Sequence, residues 1–187
     1  MSRSPVIVKR VDDDSLHAFT ELWVAARVER GTSIEVASRA ASEGRLAHAL
    51  QRPEVRAYLA TVDDTALGFA VMSHAPISCL SEAPCVAIDQ IYVLPSARNH
   101  GVARHLLAAV TAYAEKVGSE QIVSNVPAQL RDANRFFARL GFSSTSVRRI
   151  TSTALLRRRL SSGDLPRYSL DQVLIRRRSL RSRAEAS

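Results

Sequence analysis

The chain has 187 residues, 46% of them hydrophobic, and this length allows one compact α/β domain with a core but not two. No apolar run approaches the roughly 20 residues that cross a bilayer, and the first residues lack the apolar core of a secretory signal, so we expect a cytoplasmic protein with no membrane partner. The formal net charge of +8 arises wholly after residue 146, because residues 1–146 hold fifteen basic and fifteen acidic residues, whereas 147–187 hold eleven and three.

The first fifty residues predict one strand and two helices. Residues 6–11 are rich in β-branched side chains and predict a strand, and the polar cluster at 12–15 is able to end it and to cap a following helix. Apolar residues then recur at helical spacing from 16 to near 31. An alanine-rich stretch over 34–50, interrupted by one glycine, predicts a second helix. We expect both helices to cover the early sheet.

The middle of the chain predicts three more strands. Residues 55–62 and 67–73 flank the polar turn Asp63-Asp64-Thr65, so they are expected to form an antiparallel hairpin. Residues 86–93 predict a further strand, which ends before Pro95. Strand-forming residues therefore dominate this part of the chain.

Two cysteines lie close together ahead of that strand. Neither Cys79 nor Cys85 has a histidine or another cysteine at metal-ligand spacing. We therefore predict two reduced thiols and no metal site.

From residue 102 the pattern alternates between helix and strand. A one-sided apolar stripe predicts a helix from 102 to 118, where a glycine closes it. A strand over 121–126, a helix over 132–140 and a final pair of strands from 142 to about 160 follow. Hairpins followed by alternating strands and helices predict a mixed α/β (α+β) fold.

The turn between the strand ending at Val93 and the helix starting at Val102 has the features of an anion-binding loop. Backbone N–H groups at a helix start are unpaired and the helix dipole favours negative charge, so a pyrophosphate fits there. Gly101 lets the backbone approach a ligand closely, and the small side chain of Ala103 leaves room beside the first helical turn. These features make the loop a candidate phosphate site.

Two motifs in this half of the chain resemble the signatures of the GNAT superfamily of N-acetyltransferases. Arg98, Gly101 and Ala103 follow the Q/R-x-x-G-x-G/A pattern of its acetyl-CoA loop. About thirty residues later, the segment ANRFFARLGF at 133–142 is similar to the family's A-x-x-F-Y-x-x-x-G-F signature. The resemblance implies a splayed, mixed central sheet of about six to seven strands flanked by helices, and an enzyme that uses acetyl-CoA.

The resemblance also implies which residues hold the cofactor. The strand ending at Val93 would offer backbone groups to the pantetheine arm, and the loop would hold the pyrophosphate mainly through main-chain N–H groups. Leu130 stands where the family often has an asparagine, and Asn134 is the proposed partial substitute. The predicted cofactor-binding residues are Ile91, Val93, Arg98, Asn99, His100, Gly101, Val102, Ala103, Arg104 and Asn134.

Asp89 is the candidate general base. Amide formation from a thioester needs a neutral amine, so a carboxylate or an ordered water must collect its proton. Two-residue alternation puts Asp89 on the face of Ile91 and Val93, and several family members carry a glutamate there. A strand-end carboxylate paired with an arginine is the alternative interpretation. The family's usual tyrosine acid is Phe137 here, so we expect slower transfer rather than none.

The acceptor of the acetyl group is the least defined part of the prediction. A protein lysine or N-terminus is favoured slightly over a metabolite or drug amine, because the basic tail could dock an acidic protein surface. An acyl-CoA-binding regulatory module, suggested by Phe137, and an arginine-rich nucleic-acid-binding protein are the alternatives from other classes, and nucleic acid is the weaker.

We divide the chain into an acyltransferase domain over 1–160 and a basic arginine-rich extension over 161–187. That extension has three interpretations: a disordered tail, a segment that packs on a second subunit in a homodimer, or a docking patch.

Overall fold

The computed structural model describes residues 4–74, 83–127, 129–147 and 149–161. Their strands form one five-stranded sheet in chain order: β1 (Ile7–Arg10), β2 (Val55–Val62), β3 (Thr65–His74), β4 (Cys85–Val93) and β5 (Gln121–Ser124). β1 to β4 pair antiparallel, and β4 pairs parallel with β5. The helices are α1 (Leu16–Glu29), α2 (Ile34–Ser42), α3 (Arg45–Gln51), α4 (Val102–Lys116), α5 (Arg131–Arg139) and α6 (Thr153–Ser161). The predicted mixed α/β class is confirmed. No helix among the described residues is both long and apolar enough to cross a membrane.

Helix α1 covers one face of the sheet. Its buried residues recur every three or four positions, as the sequence pattern predicts: Phe19, Leu22, Trp23 and Ala26. Phe19 meets Phe69 of β3 edge to face at 5.1 Å between ring centroids, and Phe69 lies 5.8 Å from Tyr92 of β4. This aromatic chain joins α1 to the two central strands.

Helix α4 connects β4 to β5 and covers the other face. It packs against β2, β3 and β4 through a stripe that includes Val102, Leu106, Val110 and Tyr113. Tyr113 contacts His74 of β3, which alternation along that strand places on the face opposite Phe69. A parallel β–α–β connection of this kind places the N-terminus of α4 beside the end of β4.

The predicted hairpin and the helix break are confirmed. Asp63 and Asp64 both have positive φ, 47° and 60°, so they form the two-residue turn that matches the twist of an antiparallel hairpin. Gly44 has φ 69° and separates α2 from α3. The polar cluster at 12–15 caps the turn that leads into α1, because the side chains of Asp12 and Ser15 accept hydrogen bonds from each other's backbone N–H, although Ser15 makes no side-chain bond to the first turn of α1 itself.

The predicted final pair of strands is also wrong. In place of strands, the described residues after 142 form an irregular segment and then α6. Val147 and Ile150 are 73% and 90% exposed, so these β-branched residues lack the neighbours that make such residues favour a strand. Ser152 accepts a hydrogen bond from the N–H of Leu155 at 3.2 Å, which caps α6. The loss of this pair explains why five strands are described where six to seven were expected.

Contacts divide the chain into two compact units, with the division between Phe136 and Phe137. The first unit holds the sheet, α1 to α4 and the start of α5. The described part of the second holds the end of α5 and α6. The predicted arginine-rich extension over 161–187 lies, except for Ser161, outside the described residues, and its boundary stays a prediction.

Gly68 allows β3 and β4 to approach closely, and Gly68→Ala should open this contact. A Cβ at Gly68 would lie 2.6 Å from the carbonyl oxygen of Tyr92 and 3.3 Å from the Cα of Val93. Backbone atoms cannot rotate aside, so we expect the free energy of unfolding to fall by about 1–3 kcal/mol in urea denaturation. The exposed Thr65→Ala in the same strand should change it by less than about 0.5 kcal/mol. An unchanged free energy of unfolding in Gly68→Ala would show that the two strands can move apart at no cost.

Candidate active site

The sheet opens between β4 and β5. Parallel pairing runs from Cys85 with Gln121 to Ile88 with Ser124, and the N–H of Asn125 then donates to the carbonyl of Ile88 at 3.2 Å. β5 ends there, whereas β4 continues through residues 89–93. The backbone of β4 beyond Ile88 therefore has no strand partner on this side within the described residues, which leaves a row of N–H and C=O groups open to a ligand.

A β-bulge lies at the point where the strands separate. β3 pairs Met72 with Ile88 and Val71 with Gln90, so Asp89 is an extra residue in β4. Strict two-residue alternation would put Asp89 on the face of Ile91 and Val93. The bulge interrupts that alternation at Asp89, so the face of its side chain does not follow from it. Asp89 is instead exposed at the fork.

Asn125 is the polar neighbour of Asp89. Its Nδ2 donates to Oδ1 of Asp89 across 3.4 Å, and both side chains are exposed at the fork. In the described part of the chain this amide, rather than an arginine, is the hydrogen-bonding partner of the Asp89 carboxylate. Sequence analysis missed Asn125 because it extended β5 through residue 126. The one available signal was an asparagine close to the end of a short β-branched run.

The loop between β4 and α4 is built as an anion cradle. Asn99 and Gly101 have positive φ, 63° and 85°, and no side chain caps α4. The backbone N–H groups of residues 99–103 donate to no described residue. Five consecutive free amides at the N-terminus of a fifteen-residue helix fit a phosphate or pyrophosphate, since the helix dipole also favours negative charge there.

Arg98 anchors this loop through side-chain hydrogen bonds to residues outside it. Its Nε donates to the carbonyl of Val93 at 3.1 Å, and its Nη2 donates to both carboxylate oxygens of Glu29, at 2.6 and 2.8 Å. The guanidinium of Arg98 lies 6.0 Å from the centroid of the Tyr92 ring, and Glu29, whose carboxylate it binds, is the last residue of α1. Burial, together with this carboxylate, raises the pKa of Tyr92. Glu29, Tyr92 and Arg98 thus tie the loop to α1.

Two variants of this cluster should differ in how much stability they lose. Arg98→Ala removes the ion pair and the bond to Val93, so the free energy of unfolding should fall by about 1–2 kcal/mol and CoA affinity should fall several-fold. Glu29→Gln keeps the Val93 bond. Because the paired side chains are 44% and 40% exposed, it should cost less than about 1 kcal/mol. Thermal unfolding and CoA titration check both variants. Equal losses of stability in Arg98→Ala and Glu29→Gln would contradict the prediction.

The other predicted cofactor residues fall into two groups. His100 and Arg104 are exposed on the loop, and Val102 is buried, so Val102 offers a backbone amide only. Asn134 uses its Nδ2 to donate to the carbonyls of Pro127 and Leu130, at 3.1 and 2.8 Å. Asn134 therefore shapes the connection into α5, and its role toward the cofactor stays a prediction.

Phe137 and Cys85 are buried residues. Phe137 is 4% exposed and meets Phe142 edge to face at 4.9 Å between centroids, as expected of a packing residue. Cys85 is a free thiol in β4, and burial raises its pKa, so it stays protonated near neutral pH. Cys79 lies outside the described residues.

Comparison with known proteins identifies the family of this chain. The family model described as "Acetyltransferase (GNAT) family" matches residues 16–142. An aminoglycoside N(6')-acetyltransferase type 1 of Salmonella typhimurium strain LT2 is 32% identical over 98 residues, which are 51% of this chain and 68% of that protein.

Two solved structures share the fold. The aminoglycoside N-acetyltransferase AAC(6')-Iy, in complex with CoA, has a TM-score of 0.65 at 23% identity and covers 81% of this chain and 97% of its own. A ribosomal-protein-alanine N-acetyltransferase of Brucella melitensis biovar Abortus 2308 has a TM-score of 0.64 at 20% identity, with 79% and 99% covered. Proteins with small-molecule and with protein acceptors in their names therefore share this architecture.

The family match spans both signatures from the sequence analysis and the whole of the fork, the bulge and the free-amide loop. The chain therefore belongs to the GNAT acetyltransferase family and is an acetyl-CoA-dependent N-acetyltransferase.

Proposed function

We propose that this enzyme acetylates a primary amine on a small molecule of the aminoglycoside class, at the 6'-amino group. The support is the 32% identity with an aminoglycoside N(6')-acetyltransferase over 98 residues. The slight preference for a protein lysine rested on the basic tail, most of which lies outside the described residues, and the relatives favour the small-molecule alternative. The relatives are enzymes, so the regulatory-module alternative loses its support.

Acetyl-CoA would lie along the open edge of β4. Its pantetheine arm would bond to the backbone of Ile91 and Val93, and its pyrophosphate would accept from the free amides of residues 99–103. This placement brings the thioester toward the fork, where Asp89 and Asn125 meet. The separation of β4 from β5 at that point is the observation that supports this placement of the cofactor.

The chemistry needs no covalent intermediate on the enzyme. The neutral amine attacks the thioester carbonyl, a C–N bond forms, the C–S bond breaks and the CoA thiolate leaves. Asp89 would collect the proton that the amine loses, through a water, because its carboxylate is short and exposed. A thiol with pKa of about 8.5 is a tolerable leaving group, which is consistent with Phe137 in place of a phenol.

A matched pair of substrates tests the proposal. Two aminoglycosides that are identical except for an amine or a hydroxyl at the 6' position form the pair. We expect the enzyme to acetylate the 6'-amine compound and to leave the 6'-hydroxyl compound unmodified. Mass spectrometry of the product and release of CoA thiol measure the transfer. A lysine-containing peptide should remain unmodified. Acetylation of the peptide in preference to both aminoglycosides would replace the small-molecule proposal by a protein acceptor.

A further inference from the structure

A cavity lies at the C-terminal end of α4, away from the free-amide loop at its N-terminus. It has a volume of about 390 Å³ and is formed between β2 and the C-terminal half of α4. Arg56 and Tyr58 line it from the strand, and Ala109, Ala112, Tyr113 and Lys116 line it from the helix. Along the axis of α4, Tyr113 is about 18 Å from Gly101, so the cavity is separate from the free-amide loop.

The charges of this cavity have one sign. Arg56 and Lys116 are both cationic, and no carboxylate belongs to the lining. The guanidinium of Arg56 lies over the ring of Tyr113, with 4.6 Å from Cζ to the ring centroid, which fixes its plane. Like charges on one small surface repel each other, so an anion placed between them would be stabilised.

Arg56 also carries an unused donor. Its Nε is buried, and no described residue accepts a hydrogen bond from it. Because that nitrogen is shielded from solvent, a ligand oxygen would bond to the terminal N–H groups of the guanidinium rather than to Nε. A guanidinium presents parallel N–H groups that match the two oxygens of a carboxylate.

Tyrosine, alanine and valine side chains form the rest of the lining. Tyr58 and Tyr113 contribute aromatic rings, and Ala109 and Ala112 leave space on the helix side because their side chains end at Cβ. Such a surface favours a planar hydrophobic body over a compact inorganic ion.

We propose that this cavity is a binding site for a small organic anion, a carboxylate attached to a planar apolar or aromatic body. The carboxylate would pair with Arg56 and Lys116, and the body would pack on the tyrosines and alanines. The site is separate from the free-amide loop at the other end of α4.

Titration of the ¹⁵N-labelled full-length protein with 2-naphthoate tests the site, with 2-naphthamide as the neutral molecule of matching shape. We expect saturable amide shifts at residues 56–58 and 109–117 with naphthoate, in the presence and absence of saturating CoA. The amide should bind at least tenfold more weakly. Equal binding of both molecules, shifts confined to residues 99–103 that CoA abolishes, or no saturable shifts would each overturn the proposal.

Three variants separate the site from general effects. Lys116→Gln, at an exposed position in the last turn of α4, should raise the Kd for naphthoate at least threefold while leaving the fold intact. Arg56→Gln should raise it tenfold or more. Arg39→Gln, an exposed arginine on α2, removes the same charge elsewhere and should leave the Kd unchanged. If Lys116→Gln and Arg39→Gln behave alike, the cavity does not bind the anion.

Discussion

Gly101→Val is expected to weaken CoA binding by at least about tenfold. Gly101 has φ 85°, a conformation that costs a residue with a Cβ about 1–2 kcal/mol and a β-branched residue more. No atom of a described residue outside its immediate neighbours lies within 4 Å of a Cβ built there, so the cost is conformational rather than a clash. A loop that relaxes to negative φ would no longer direct its amides at the pyrophosphate. Each 1.4 kcal/mol needed to restore that conformation weakens binding about tenfold.

Gly118→Val is the matched control, because Gly118 ends the same helix with φ 68° and has equally open surroundings. Both variants should lose similar amounts of stability in thermal denaturation. Calorimetric titration with CoA should distinguish them, with only Gly101→Val losing affinity. Equal affinity in the two variants would mean that the loop does not hold the cofactor.

Asp89→Asn is expected to lower kcat by about 100-fold or more while the Kd for CoA stays within about twofold of the native value. General base catalysis contributes roughly 10² to 10⁴ in rate, and the amide that replaces the carboxylate keeps its shape but not its basicity. Asp89 lies at the fork, ahead of the proposed cofactor-contacting residues Ile91 and Val93, so cofactor affinity should be preserved. Steady-state kinetics with the 6'-amine substrate and CoA titration together check this prediction.

The pH dependence adds a readout that a purely structural defect would not give. As pH rises, more of the acceptor amine is already neutral and no longer relies on Asp89 to remove the ammonium proton, so the ratio of native to Asp89→Asn rates should shrink. Asp64→Asn, in the β2–β3 turn, is the control, since it removes one carboxylate at a position where φ is 60° and asparagine is tolerated. A native kcat in Asp89→Asn would exclude Asp89 as the base.

Local patterns were sufficient for most elements. The three-to-four-residue spacing of Phe19, Leu22 and Ala26 specified α1 and its buried face, and the paired aspartates specified the hairpin turn. The glycine turn that begins α4 was also recognisable, because Gly101 and the start of the helix are close in sequence. These features depend on interactions within a few residues, which sequence periodicity records directly.

The failures all involve partners that are distant in sequence. Val147 and Ile150 suggested a strand, yet a strand requires a neighbouring strand, and the described residues provide none for them. The ion pair of Arg98 with Glu29, 69 positions away, was missed, and the assignment of Arg98 to the cofactor stays a prediction. Asp89 was placed by alternation, which the bulge opposite β3 interrupts.

The sequence by itself determined the family, the mixed α/β class and the loop that carries the free amides, since each follows from contiguous residues. Only the tertiary structure decided where β4 separates from β5, that Asn125 is the neighbour of Asp89, and that the side chain of Arg98 bonds to Val93. Strand registers and side-chain contacts across the sheet depend on how the whole core packs, and no local spacing in the chain encodes them.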